Sequence, residues 1–81
     1  MLSKYKVSWC PVCNQGWVEI VKEENTGMLF LCCDECEAEW TNPDEIGIPY
    51  KGSRFKFGKI IEPSYDEIVD KGWKNCIEID N

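Results

Sequence analysis

Cys10-Pro11-Val12-Cys13 and Cys33-Asp34-Glu35-Cys36, with nineteen residues between them, decide how the rest of this chain is read. A two-residue gap lets one tight turn aim two sulfurs at a single point, about 2.3 Å from a metal. Two such turns complete a tetrahedral four-sulfur shell that leaves no position for water or substrate. Paired Cys-x-x-Cys at this separation is a structural zinc signature. Cys10, Cys13, Cys33 and Cys36 are therefore the expected ligands of one Zn2+. Iron is the smaller competitor, because tetrahedral sulfur suits both metals.

The residues between the pairs read as a hairpin. Trp17-Val18-Glu19-Ile20-Val21 favours a strand. Lys22 to Gly27 is a polar turn carrying Asn25 and Gly27. Met28-Leu29-Phe30-Leu31-Cys32 returns as a second strand and delivers the second cysteine pair beside the first. Gly16, just past Cys13, is expected to take positive φ and turn backbone amides toward the sulfurs. Glu37-Ala38-Glu39-Trp40 reads as a third strand beside the hairpin. The order Cys-Pro-x-Cys-x-x-Gly, strand, turn, strand, Cys-x-x-Cys resembles the zinc ribbons over about residues 10–40. That resemblance implies that Trp40, a few positions after the last cysteine, packs over the site.

Outward from this unit, Tyr5, Val7 and Trp9 alternate with Lys4, Lys6 and Ser8 as in a short leading strand. Asn42-Pro43-Asp44-Glu45 has the grammar of a helix start, cut short by Gly47 and Pro49. In residues 51–61, Arg54 and Lys56 alternate with Phe55 and Phe57, and Ile60 and Ile61 extend the strand. Ser64-Tyr65-Asp66-Glu67 is a capping box opening a helix of about two turns that Gly72 stops. Residues 73–79 are expected as a closing strand. The fold class is small α+β: a zinc-ribbon hairpin or three-stranded antiparallel sheet, then strand, short helix and strand. Residues 1–81 are expected to form a single zinc-stabilised domain, the ribbon at 10–40 and the extension at 51–81. A chain of this size needs such a staple.

The remaining chemistry is sparse. The six cysteines also permit a disulfide framework. Against that, residues 1–9 hold no apolar run of a secretion signal, and paired cysteines in a reducing compartment read as metal ligands. Cys32 and Cys76 are left over and read as buried and inert, although Cys32 can be weighed as a substitute for Cys33. The chain has no histidine, which removes the commonest general base and nucleophile activator. It has no phosphate-binding glycine loop and no triad grammar, so a non-enzymatic role is expected.

Charge points to the partner. The formal net charge is −6; four thiolates and Zn2+ take it to about −8. Such a balance opposes nucleic acid, whose affinity rests on neutralised phosphates, and favours a basic protein. Glu23, Glu24, Asp34, Glu35, Glu37 and Glu39 are the candidate contact residues. The segment Lys51–Lys59 carries four cations and no acid; with Phe55 and Phe57 it can track a single strand, but alternation favours a half-buried strand. In size and charge the chain resembles the immunity proteins of bacterial toxin systems, including contact-dependent inhibition. That resemblance implies a cytoplasmic bacterial protein that covers a basic nuclease toxin. Two other readings stand beside it. One is a zinc-ribbon accessory factor of transcription or translation, with Glu23-Glu24 at the hairpin tip. The other is rubredoxin-like electron transfer, whose loops carry Gly where this chain has Asn14 and Glu37. No stretch approaches the roughly 20 apolar residues of a membrane span.

Overall fold

In the computed structural model, residues 5–46, 60–77 and 79–80 are described. Their strands form one antiparallel sheet: β1 (Tyr5–Trp9), β2 (Trp17–Glu23), β3 (Leu29–Cys33), β4 (Glu39–Trp40), β5 (Ile60–Ile61) and, after the helix α1 (Tyr65–Lys71), β6 (Ile79–Asp80). The order across the sheet is β4-β3-β2-β1-β6. The hairpin β2–β3 is its centre, with Val18 opposite Cys33 and Lys22 opposite Leu29. β1 occupies the other edge of β2 beside Trp17 and Glu19, and β5 takes up that edge at Lys22 and Glu23. β5 and β6 thus extend the sheet built on the β2–β3 hairpin.

Side chains on one face are apolar. Val18 and Ile20 from β2, Leu29, Leu31 and Cys33 from β3, and Trp40 from β4 make a core with Tyr5, Cys10, Ala38, Ile46, Ile68 and Trp73. Alternation along a strand sends every second residue to this face, which is why Cys33 joins this cluster while Cys32 packs with Val21, Phe30 and Ile60 on the other face. Trp40 is fully buried in the same cluster as Cys10 and Cys33.

The other face is unusual. The registers place Lys6 opposite Glu19, Glu19 opposite Cys32, and Cys32 opposite Glu39. All four are buried, Lys6 to 4% exposure and Glu19 to 2%. The period-two reading of β1 places Lys6 among the outward residues. Lys6 does alternate away from Tyr5, but the face it joins is itself buried; the register shift between Lys6 and Ser8 inserts one residue and brings Trp9 to that same side. Burial and the carboxylates of Glu39, Glu37 and Glu19 push the Cys32 thiol up to about 12. It is a neutral, inert thiol at any ordinary pH.

The local grammar is borne out where caps decide it. The Ser64 hydroxyl accepts from the Glu67 amide, the Glu67 carboxylate accepts from the Ser64 amide, and Gly72 ends α1 at φ 84°. Asn42 caps a single 3-10 turn at Pro43–Glu45. The segment after α1 differs from expectation: Lys74–Cys76 forms a 3-10 turn and not a strand, and among the described residues there only Ile79–Asp80 pairs, with β1. The expected strand from residue 51 is described only at Ile60–Ile61. Lys51, Arg54, Phe55, Lys56, Phe57 and Lys59, like the stop at Gly47 and Pro49, lie outside the described residues.

Candidate metal centre

The two cysteine pairs meet at one end of the hairpin because β2 begins, and β3 ends, in register beside each other. All four Sγ atoms lie within 4.8 Å of one another. Cys10 Sγ is 3.7 Å from Cys36 Sγ, and Cys13 Sγ is 3.6 Å from Cys33 Sγ. A regular tetrahedron of sulfurs roughly 2.3 Å from a metal has edges of about 3.8 Å. The donor set and its spacing therefore fit a four-thiolate metal ion. A disulfide between these sulfurs would hold them at about 2.05 Å, and all are free.

Each loop turns its amides toward sulfur. Val12 N–H donates to Cys10 Sγ, and Glu35 and Cys36 N–H donate to Cys33 Sγ, each at 3.4 Å. Such donors stabilise negative charge on the ligands and fix their direction. Burial pushes the Cys10 and Cys33 thiols up. A dication entering the site must expel their protons, as thiolate ligation requires.

Left-handed backbone appears one residue after the second cysteine of each pair, at Asn14 (φ 54°) and Glu37 (φ 62°). Gly16 does not adopt it, which corrects the expected role of that glycine. Gly16 is required for space. A Cβ there would lie 2.4 Å from Asp34 Oδ1 and 2.6 Å from Glu35 Cγ. The two loops touch at this point, and Trp17 and Asp34 lock it: Trp17 N–H donates to Asp34 Oδ1, and Asp34 N–H donates to Trp17 O, each at 3.0 Å. The left-handed Asn14 and Glu37 also remove one objection to an iron site, since both take the conformation that Gly supplies in rubredoxin-like loops.

The six candidate contact acids separate into two groups. Glu24, Glu35 and Glu37 are exposed and Asp34 is half-buried. Glu23 and Glu39 are each only 6% exposed and leave the set of surface contacts. Glu39 faces inward because it lies opposite Cys32 on the polar face. Glu23 folds over the hairpin turn, where its carboxylate accepts from Asn25 N–H (2.7 Å), Thr26 N–H (3.1 Å) and Thr26 Oγ1 (2.8 Å). The donors at Asn25 and Thr26 hold its carboxyl below the usual range. A carboxyl depressed by folding contributes stability above its unfolded pKa, about 4.3, which is lost as pH falls through the lower folded value. Glu23→Gln should therefore melt below wild type at neutral pH, and the gap should close below about pH 4. The gap is read only at pH values where both proteins keep their metal, checked by metal content. A gap independent of pH would refute this role.

Trp9 is the residue that sequence reading left unassigned. It is 45% exposed, yet its indole N–H donates to Asn14 Oδ1 at 2.8 Å. Its ring meets Trp17 edge-on with centroids 5.4 Å apart. A cavity of about 160 Å3 opens on the face that carries Glu19 and Cys32, lined also by Val21, Asp34, Glu37 and Ile60 among others. Alternation groups Trp9 with Tyr5 and Val7, whereas the β1 bulge turns it to the other side.

The fold and site define a small α+β chain with a four-cysteine candidate metal centre. The chain matches no protein-family profile, no curated protein and no solved structure. No helix among the described residues is long and apolar enough to cross a membrane.

Proposed function

We propose that this chain is a non-enzymatic zinc protein that works by binding another protein. Its partner is a basic, nuclease-type toxin, which it neutralises as a cytoplasmic bacterial immunity protein. The observation that carries the reading is charge held on a rigid end. The net charge of −6 is joined by exposed Glu35 and Glu37 next to a four-thiolate cluster. A four-coordinate thiolate site offers no open position for substrate, so the metal's contribution is to hold the loops. Acids fixed in this way raise the association rate with a basic surface and disfavour wrong partners.

Co-expression with the product of the adjacent gene tests the reading. The expected result is a complex that weakens as salt rises, together with loss of the partner's nuclease activity. Absence of a complex, with tight binding of single-stranded nucleic acid at physiological salt, would favour the accessory-factor reading instead. That alternative has lost one of its two tip acids, since Glu23 is committed to the turn and only Glu24 is exposed there. Electron transfer separates from both by metal content, because it needs iron.

A further inference from the structure

The metal end of the sheet combines an exposed aromatic anchor with an unbroken run of negative charge. Trp9 is half-exposed but held by two contacts: the hydrogen bond to Asn14 and the edge-on ring of Trp17. Asn14 is in turn fixed inside the first loop, where its amide donates to Cys10 O at 3.1 Å. An indole immobilised before binding loses little entropy on binding, which is what makes tryptophan an effective anchor. Val12 adds a second exposed apolar side chain on the same loop.

The two ligand loops carry charge of one sign. Residues 9–17 and 33–39 contain no Lys or Arg, while Asp34, Glu35 and Glu37 lie in or beside the second loop. A zinc held by four thiolates adds a formal −2 at the centre of the same surface. The Trp17 amide and Gly16 abut Asp34 and Glu35, so the loop that leads into the aromatic pair touches the loop that carries the acids. Asp34 and Glu37 also line a cavity that has Val21 and Ile60 as its apolar wall. Apolar walls with carboxylates suit a side chain with a hydrocarbon stem and a cationic head. An indole face rimmed by carboxylates suits a guanidinium above all, through cation–π attraction and paired hydrogen bonds.

We propose that this end of the sheet, with Trp9 as anchor and Asp34, Glu35 and Glu37 as its rim, is the docking surface for an arginine-rich face of a basic protein. The assignment rests on the reading that the partner is basic, and adds which surface meets it and which side chain it selects.

Titrating the 15N-labelled, zinc-loaded protein with oligoarginine, followed by NMR, tests the surface without knowing the partner. The Trp9 indole N–H and the Glu35 and Glu37 amides should shift first, and oligolysine of equal length should bind more weakly. Trp9→Ala should weaken oligoarginine binding roughly fivefold. Glu35→Lys and Asp70→Lys change the net charge equally. Asp70 lies beside Gly27 and Met28, at the other end of the hairpin, so only Glu35→Lys should cost affinity strongly. If Trp9→Ala does not fold, the paired charge reversals still decide. Equal losses from those two reversals, or shifts centred on the hairpin turn, would overturn this surface while leaving a basic partner in place. Failure of oligoarginine to bind at all, or stronger binding of a single-stranded oligonucleotide, would overturn both.

Discussion

Cys13→Ser is expected to abolish tight zinc binding and to lower the melting midpoint by about 20 °C or more. The magnitude follows from two scales. At roughly 0.05–0.15 kcal/mol per residue, a chain of 81 residues has a total stability on the order of 4–12 kcal/mol. Structural zinc in small domains contributes an apparent binding free energy of about 10–16 kcal/mol near neutral pH. Losing even part of the metal's contribution therefore removes most of the fold's margin, and each kcal/mol corresponds to roughly 4–8 °C in a domain of this size. Cys32 cannot replace a lost ligand, because it is buried on the opposite face of β3 from Cys33. Thermal melting with and without a chelator checks the point: wild type should fall toward the variant when stripped, and the variant should not respond.

Gly16→Ala should be the most damaging single-methyl addition in the metal end, costing roughly 1–3 kcal/mol as overpacking. The added Cβ meets Asp34 Oδ1 at 2.4 Å and Glu35 Cβ at 2.8 Å. Neither can swing aside cheaply. Asp34 Oδ1 is the acceptor for the Trp17 amide, and Glu35 Cβ is tied to the backbone that donates to Cys33 Sγ. The second loop must therefore move away from the first, and the sulfurs move with it. The expected result is a midpoint lower by on the order of 10 °C together with weaker zinc retention against a competing chelator. Gly72→Ala is the contrast: a new Cβ there has nothing within 4 Å, and only its φ of 84° opposes the change. It should cost about 1–2 kcal/mol and leave zinc retention unchanged. Equal zinc retention in Gly16→Ala and wild type would refute the coupling of the two loops.

What could be read from the sequence was whatever short-range chemistry decides. The ligand set follows from two spacings, and the helix start follows from Ser64 and Glu67 meeting across one turn. The hairpin follows from two apolar runs around Asn25 and Gly27. Long-range pairing decides the rest. The bulge in β1 moves Trp9 off the side of Tyr5 and onto that of Lys6, and no local propensity marks it. Glu39 looks like a surface acid until its position opposite Cys32 is known. Glu23 looks like a tip acid until its carboxylate is seen closing the turn. Gly16 was assigned to backbone freedom, while the left-handed positions fell to Asn14 and Glu37. The space that Gly16 must leave is set by Asp34 and Glu35, eighteen and nineteen positions away.

Counting the metal and its ligands tests the central claim most directly. Native mass spectrometry of the purified protein, with X-ray absorption at the metal edge, should give one zinc per chain bound by four sulfurs at about 2.3 Å. A metal shell containing nitrogen or oxygen, or a Cys13→Ser protein that keeps its zinc and its melting temperature, would contradict the account.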